Sequence, residues 1–174
     1  FFGDGVVAHV AFGEPTCTVL ADAVENALKT CELEYTRGGA YVCIEGPQFS
    51  TRAESELFRT WNASVIGMTN MPEARFAREA ELPYTTLAMV TDYDCWHDGH
   101  DAVTVDQVIA TLKANTQKAL SVIAALGRNG LPDFSNSVAT GALEHAIITA
   151  PEALSESIHN RLAVLKGQST KENV

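Results

Sequence analysis

With 174 residues, 46% of them hydrophobic, the chain is large enough for one domain with a buried core and is neither disordered nor fibrous in composition. A formal net charge of −10, from 22 acidic and 12 basic residues, excludes a nucleic-acid partner, which Lys and Arg would have to neutralise, and leaves room only for a local phosphate site. No apolar run approaches the roughly 18 residues that span a bilayer, so the sequence reads as soluble, with no membrane partner.

Residues 6–12 are apolar and β-branched and read as a strand. Glu14-Pro15-Thr16 then opens a helix over 17–30, in which Val19, Leu20, Ala23, Val24, Ala27 and Leu28 recur at helical spacing. After a Gly38-Gly39 turn, the continuously apolar Ala40-Tyr41-Val42-Cys43-Ile44 reads as a strand covered on both faces. A loop over 45–50 leads into a helix over 51–61, where Thr51 and Glu54 fit a capping box. Residues 64–68 are strand-like, and Pro72 sits in the first turn of a helix that runs to about residue 81 and is stopped by Pro83. Another strand, 84–90, ends at Thr91-Asp92-Tyr93-Asp94-Cys95-Trp96. The long helix expected over 104–126 carries Val105, Val108, Ile109, Leu112, Ala119, Leu120 and Ile123 on its buried stripe. Beyond Gly127 come a linker rich in Gly, Pro, Asp and Ser, short helices over 140–149 and 153–165, and a polar tail over 168–174.

Strands alternating with helices define an α/β fold with a twisted, mostly parallel or mixed sheet flanked by helices. Residues 1–127 read as part of a single domain, and 128–174 as its carboxyl-terminal linker, short helices and tail. Cys17, Cys31, Cys43 and Cys95 form no CxxC pair and have no zinc-like spacing with histidine. Cys31 and Cys43 lie in apolar sequence and read as buried free thiols, which fits a cytoplasmic protein. The chain opens at Phe1 without an initiator methionine or signal peptide, and reads as one piece of a longer polypeptide.

In an open α/β sheet, ligands bind beyond the carboxyl ends of the strands. Three such ends carry unusual residues here. Phe49 offers a ring face to a flat base and Ser50 a hydroxyl; Met68 offers a soft wall and Thr69 a second hydroxyl; Asp92 and Asp94 place two carboxylates one residue apart. Each also has a plainer role. A Gly-Pro turn followed by Phe serves packing, Met68 and Phe49 suit a core, and a D-x-D pair caps helices or faces solvent. His9, His97, His100, His145 and His159 show no metal spacing, and His97-Asp98-Gly99-His100-Asp101 reads as a polar loop. Convergence at adjacent strand ends is what favours function.

The run Tyr41-Val42-Cys43-Ile44-Glu45-Gly46-Pro47-Gln48-Phe49-Ser50-Thr51-Arg52-Ala53-Glu54 resembles the strand, loop and helix signature of methylthioadenosine phosphorylases, within the purine nucleoside phosphorylase family. So do Phe58-Arg59-Thr60-Trp61, Gly67-Met68-Thr69 with Pro72-Glu73, and Met89-Val90-Thr91-Asp92-Tyr93-Asp94-Cys95-Trp96, in order and spacing. The resemblance covers about residues 2–126 and matches the family's carboxyl-terminal portion, so the nucleoside phosphorylase fold is expected to be incomplete at the amino terminus.

The resemblance implies reversible phosphorolysis of 5'-methylthioadenosine to adenine and 5-methylthioribose 1-phosphate. Inorganic phosphate is the implied co-substrate, with no metal or organic cofactor, in a homotrimer with sites near subunit boundaries. It implies that Phe49 stacks on the base, Ser50 lies at its edge, Met68 packs on the ribose and Thr69 reaches phosphate. Asp92 and Asp94 are then the catalytic pair, reading N7 and the 6-amino group. Val105, Val108 and Ile109 line the methylthio pocket, and His9 approaches it across the interface. Protonation of N7 by Asp92 requires a raised carboxyl pKa, which burial beside Asp94 would supply. Relatives that take 6-oxopurines resemble the same motif but carry Glu after the Phe and Asn in place of Asp92, so Ser50 and Asp94 point to adenine. The family's earlier phosphate-binding parts, including an Arg-His pair, have no counterpart in this sequence, and a companion amino-terminal segment is the expectation. A nucleoside-binding module without catalysis, a phosphorylase with another base preference, a nucleosidase and a structural domain are the competing readings.

Overall fold

The computed structural model describes residues 1–97 and 105–166. Its elements are α1 (Thr18–Thr30), β1 (Ala40–Cys43), α2 (Arg52–Thr60), β2 (Ala63–Gly67), α3 (Asn70–Glu79), α4 (Val105–Asn129), a 3-10 turn (Pro151–Ala153) and α5 (Glu156–Lys166). The chain divides into two compact units. One comprises Phe1–Ala21, Pro72–Thr85 and the chain from Pro132 on; the other comprises Asp22–Met71 and Thr86–Leu131.

The second unit holds a βαβ element. β1 and β2 pair in parallel, with Tyr41 opposite Val65, Val42 opposite Ile66 and Cys43 opposite Gly67, and an irregularity between Ala40 and Tyr41. A bond from the Ile44 N–H to the Gly67 carbonyl, 2.9 Å, carries the ladder one residue further. Parallel strands need a crossover, and α2 supplies it. The chain enters β1 through Gly39 at φ 103°, where an added Cβ would also overlap the Ser64 side chain, so only glycine fits.

The core of this unit joins Ala27 and Leu28 of α1 to Val122 and Ala125 of α4, with Val24, Cys31, Leu33, Leu87 and Leu126 packed around them. Complete burial of side chains such as Leu28 and Val122 contributes about 1.5–3 kcal/mol each. The stripe expected on α1 is the one that packs. On α4 the expectation is corrected. Leu112, Leu120 and Ile123 are 45%, 53% and 61% exposed, and Ile109 is exposed too, whereas Val122 and Ala125 are buried. α4 carries two apolar stripes, and the one with small Ala125 faces Ala27, which leaves the bulkier stripe outside. The strand over 40–44 is likewise not covered on both faces: Tyr41, Val42 and Cys43 are half-buried, because a two-stranded sheet offers few neighbours.

The first unit is built around Val6, Leu162 and Leu165, with Phe2, Ala80, Leu143, Ile147, Leu154 and Ile158 against them. Arg78 of α3 is buried and donates to the carbonyl oxygens of Ala11 at 2.6 Å and Glu14 at 2.5 Å, with the Phe12 ring beside it. Desolvation draws its guanidinium below the usual pKa.

Three further expectations are corrected among the described residues. Residues 6–12 form one isolated antiparallel bridge, Ala8 to Ile147, instead of a strand. The same pairing consumes the expected helix over 140–149, because His9 donates to the Ala146 carbonyl and Ile148 to that of Val7, both at 2.9 Å. The run 138–146 is a series of turns, with Gly141 at φ 71°. Residues 84–90 form no ladder: the Tyr84 carbonyl accepts from the Cys17 N–H at 2.7 Å, and the Val90 carbonyl from the Asn115 side chain. The last helix starts at Glu156, after the 3-10 turn. All four cysteines are free. Cys17 is the buried one, Cys31 and Cys43 are half-buried, and Cys95 is exposed. No helix among the described residues is long and apolar enough to cross a membrane.

Candidate active site

The helix α2 is the frame of the site. Thr51 caps it by accepting from the Glu54 N–H through its hydroxyl, and Glu54 accepts from the Thr51 N–H at 2.7 Å and the Thr51 hydroxyl at 2.8 Å. These bonds hold the Glu54 carboxyl below its ordinary pKa, the backbone bond contributing most. The loop that carries Phe49 and Ser50 ends where this cap begins. Their positions are therefore set by the start of a rigid helix.

Phe49 is 85% exposed, an uncommon state for a Phe ring and one that suits stacking on a flat ligand. The Ser50 hydroxyl oxygen is buried and has no hydrogen-bond partner among the described residues. A buried hydroxyl without a partner costs roughly 1–3 kcal/mol, so a ligand that bonds it recovers that penalty.

Three of the predicted chain segments meet here, all within one unit. The Cys95 thiol lies 3.6 Å from the Ser50 carbonyl oxygen, which joins the 91–96 loop to the 45–50 loop. A Cβ at Gly46 would overlap the Met68 sulfur, so the 45–50 loop also rests on the end of β2. Asn70 accepts from the Thr86 hydroxyl, linking the turn after β2 to the segment that leads to Asp92. Asp94 is half-buried; its Oδ2 accepts from the Ser55 hydroxyl at 2.6 Å and its Oδ1 from the Cys95 N–H at 2.9 Å. Trp96 closes this end of the loop, with the Arg59 guanidinium 4.0 Å from its ring centre.

Asp92 departs from expectation. It is exposed and accepts from the Thr91 hydroxyl at 2.5 Å, while both recorded partners of Asp94 lie elsewhere. The burial beside Asp94 expected for it is therefore not provided by the described residues, because the hydrogen bond from Ser55 draws Asp94 toward α2. Met68 is half-buried and Thr69 exposed. On α4, Val108 is half-buried and Ile109 exposed, while the side chain of Val105 lies outside the described residues, as do Asp98, Gly99, His100 and Asp101. His9 is exposed in the other unit, where its N–H bonds Ala146. No cluster of His, Cys, Asp and Glu among the described residues is suited to a metal ion.

Ser55 and Asn115, which bond Asp94 and the Val90 carbonyl, lie outside the motifs quoted from the sequence. The signal for Ser55 was available: it stands one turn after Thr51 on the helix face that also carries Phe58, so it points inward.

Known proteins give a consistent result. The phosphorylase superfamily matches residues 1–128. An S-methyl-5'-thioadenosine phosphorylase from Koribacter versatilis is 49% identical over 168 residues, covering 97% of this chain and 57% of that protein. One from Synechocystis sp. is 47% identical over 171 residues, covering 97% of this chain and 52% of that protein. Among solved structures, a methylthioadenosine phosphorylase from an antarctic soil metagenomic library superposes with a TM-score of 0.83 at 46% identity, covering 94% of this chain and 58% of that one. A methylthioadenosine phosphorylase from Schistosoma mansoni, in complex with adenine, superposes with a TM-score of 0.71 at 26% identity, covering 86% and 58%. The chain thus spans little more than half the length of the relatives it matches.

Proposed function

The chain belongs to the phosphorylase superfamily, and on that premise we propose that it carries the base-holding part of an enzyme that phosphorolyses 5'-methylthioadenosine to adenine and 5-methylthioribose 1-phosphate. The observation that carries this reading is Asp94, fixed through both oxygens at the point where the Ser50 and Cys95 loops meet, beside an unpartnered Ser50 hydroxyl. A fixed carboxylate accepts from an exocyclic amine; a 6-oxo group has no hydrogen to give it.

In this mechanism the base stacks on Phe49, with Ser50 at its edge and its 6-amino group donating to Asp94. Asp92 gives a proton to N7 as the C1'–N9 bond breaks, so that the electron pair entering the base leaves neutral adenine. A phosphate oxygen forms the new bond to C1' from the opposite face of the ribose, its negative charge stabilising the cationic sugar. Asp92 is exposed in the chain itself, so this mechanism requires the bound base to cover it and exclude water. Met68 packs against the ribose and Thr69 contributes to phosphate. Val105, Val108 and Ile109 line the methylthio tail, where a free 5'-hydroxyl would lack a partner. His9 reaches that tail from a neighbouring subunit of a homotrimer.

One hydroxyl, Thr69, does not hold a phosphate dianion, so the proposal includes a companion segment that supplies the remaining phosphate donors. Two findings support it: the relatives are nearly twice as long, and α4 leaves Ile109, Leu112, Leu120 and Ile123 exposed.

A phosphorolysis assay of the chain together with its companion segment, with methylthioadenosine, adenosine and inosine side by side, tests the reading. Methylthioadenosine should lead adenosine by up to some tens-fold in kcat/KM, from the unpartnered hydroxyl alone, and inosine should trail both. Equal kcat/KM for methylthioadenosine and adenosine overturns the tail assignment. Adenine binding without phosphate-dependent release selects the module without catalysis.

A further inference from the structure

Three polar or charged side chains are buried among the described residues: Ser55, Arg78 and Ser137. Arg78 satisfies two backbone carbonyls, and Ser137 bonds the Cys17 sulfur and the Ala139 N–H, which accounts for both as structural groups. Ser55 is different. It is 1% exposed, it sits on α2, and its hydroxyl reaches across 39 positions of sequence to Asp94.

A serine inside a helix usually returns its hydroxyl to the carbonyl one turn back. In α2 the Ser55 hydroxyl instead donates to the Asp94 carboxylate at 2.6 Å, the short range of a charge-assisted bond. With the Cys95 N–H on the other oxygen, the plane of the Asp94 carboxylate is fixed at two points. A carboxylate has about four acceptor sites, so two remain for a ligand, in directions that the two bonds determine.

We infer that Ser55 is a positioning residue: through Asp94 it fixes the acceptor that reads the exocyclic amine of the base, and so contributes to selection of 6-aminopurines. This inference rests on the function proposed above. The same capped helix carries Ser55 and follows directly on Phe49 and Ser50, so one rigid element sets both the stacking face and the amine acceptor. Ser55→Ala would leave one Asp94 oxygen without its donor and the carboxylate free to rotate. The cost falls on ligands that use the amine and spares those that lack it.

Calorimetric titration of the protein with adenine, and with unsubstituted purine, which has no 6-amino group, reads this directly. Ser55→Ala should weaken adenine by about tenfold and leave purine within about twofold. In a Asp94→Asn background, Ser55→Ala should have no further effect on adenine, because the coupling between the two positions is already lost. Equal weakening of adenine and purine, or an undiminished effect in the Asp94→Asn background, marks a merely structural serine and overturns the inference. Unchanged adenine binding in Ser55→Ala overturns it as well, while leaving the proposed function standing. A parent protein that binds no adenine sinks both together.

Discussion

Asn115 of α4 donates its side-chain amide to the carbonyl oxygen of Val90, 2.9 Å away. Val90 precedes the loop of Asp92 and Asp94, and its segment has no strand ladder among the described residues. A side chain thus does what a neighbouring strand does in a complete sheet. Asn115→Leu keeps the branching at Cγ and removes the donor. It should cost about 1 kcal/mol in urea denaturation and weaken adenine binding several-fold. Parental values for both would mean that the loop is held by other contacts.

The unpartnered oxygen of Ser50 separates stability from binding. Ser50→Ala deletes a buried hydroxyl that bonds nothing in the free chain, so the denaturation midpoint should stay within about 0.5 kcal/mol of the parent or rise. Adenine affinity should drop by about tenfold. A large loss of stability would contradict the orphaned state of that atom.

Asp92→Asn keeps the shape and removes the transferable proton. Phosphate-dependent release of adenine should slow by about two to four orders of magnitude, while adenine itself still binds. Single-turnover rates on methylthioadenosine report the first effect and calorimetry the second. Parental turnover would end the assignment of Asp92 as the acid.

Arg78→Met leaves two carbonyls, on Ala11 and Glu14, without their donor in a buried place. The expected loss is about 2–4 kcal/mol of stability, read by chemical denaturation. Arg78→Lys should recover only part of it, since one ammonium does not span both oxygens as the guanidinium does.

The capping box gives a pH signature. The Glu54 carboxyl is held below its ordinary value of 4.5 by the Thr51 N–H and hydroxyl. A depressed carboxyl pKa means that the folded state binds the proton more weakly than the unfolded one. The stabilisation is therefore present above about pH 4.5 and is lost as pH falls through the lower, folded value. Glu54→Gln should be less stable than the parent near neutral pH, and the gap should close in acid. A gap independent of pH would show that the carboxylate charge is not what the cap uses.

The elements that local sequence encodes are the ones present. α1, with its apolar spacing, α2, with Thr51 and Glu54, and the β1 to β2 pair all lie within a residue or two of their expected bounds. The departures occur where a decision belongs to partners distant in sequence. Residues 84–90 have strand composition, but a strand exists only beside another, and their carbonyls go to Cys17 and Asn115. The α4 helix was legible, but not its buried side, because Val108, Ile109, Leu112, Leu120, Val122, Ile123 and Ala125 give it two apolar stripes and the choice depends on α1. At the site, Phe49, Ser50 and Asp94 were legible as motif residues. The bond from Ser55 was not, because nothing local to Ser55 states that Asp94 will stand opposite it.

The cluster of Val6, Leu162 and Leu165, with the ion pair from Arg161 to Asp4 at 2.8 Å beside it, ties the earliest described segment to the last helix. A ribosome releases those two stretches far apart in time. Val6 therefore waits for Leu162 and Leu165 until the last helix has emerged, and over that interval the nascent polypeptide leans on a chaperone.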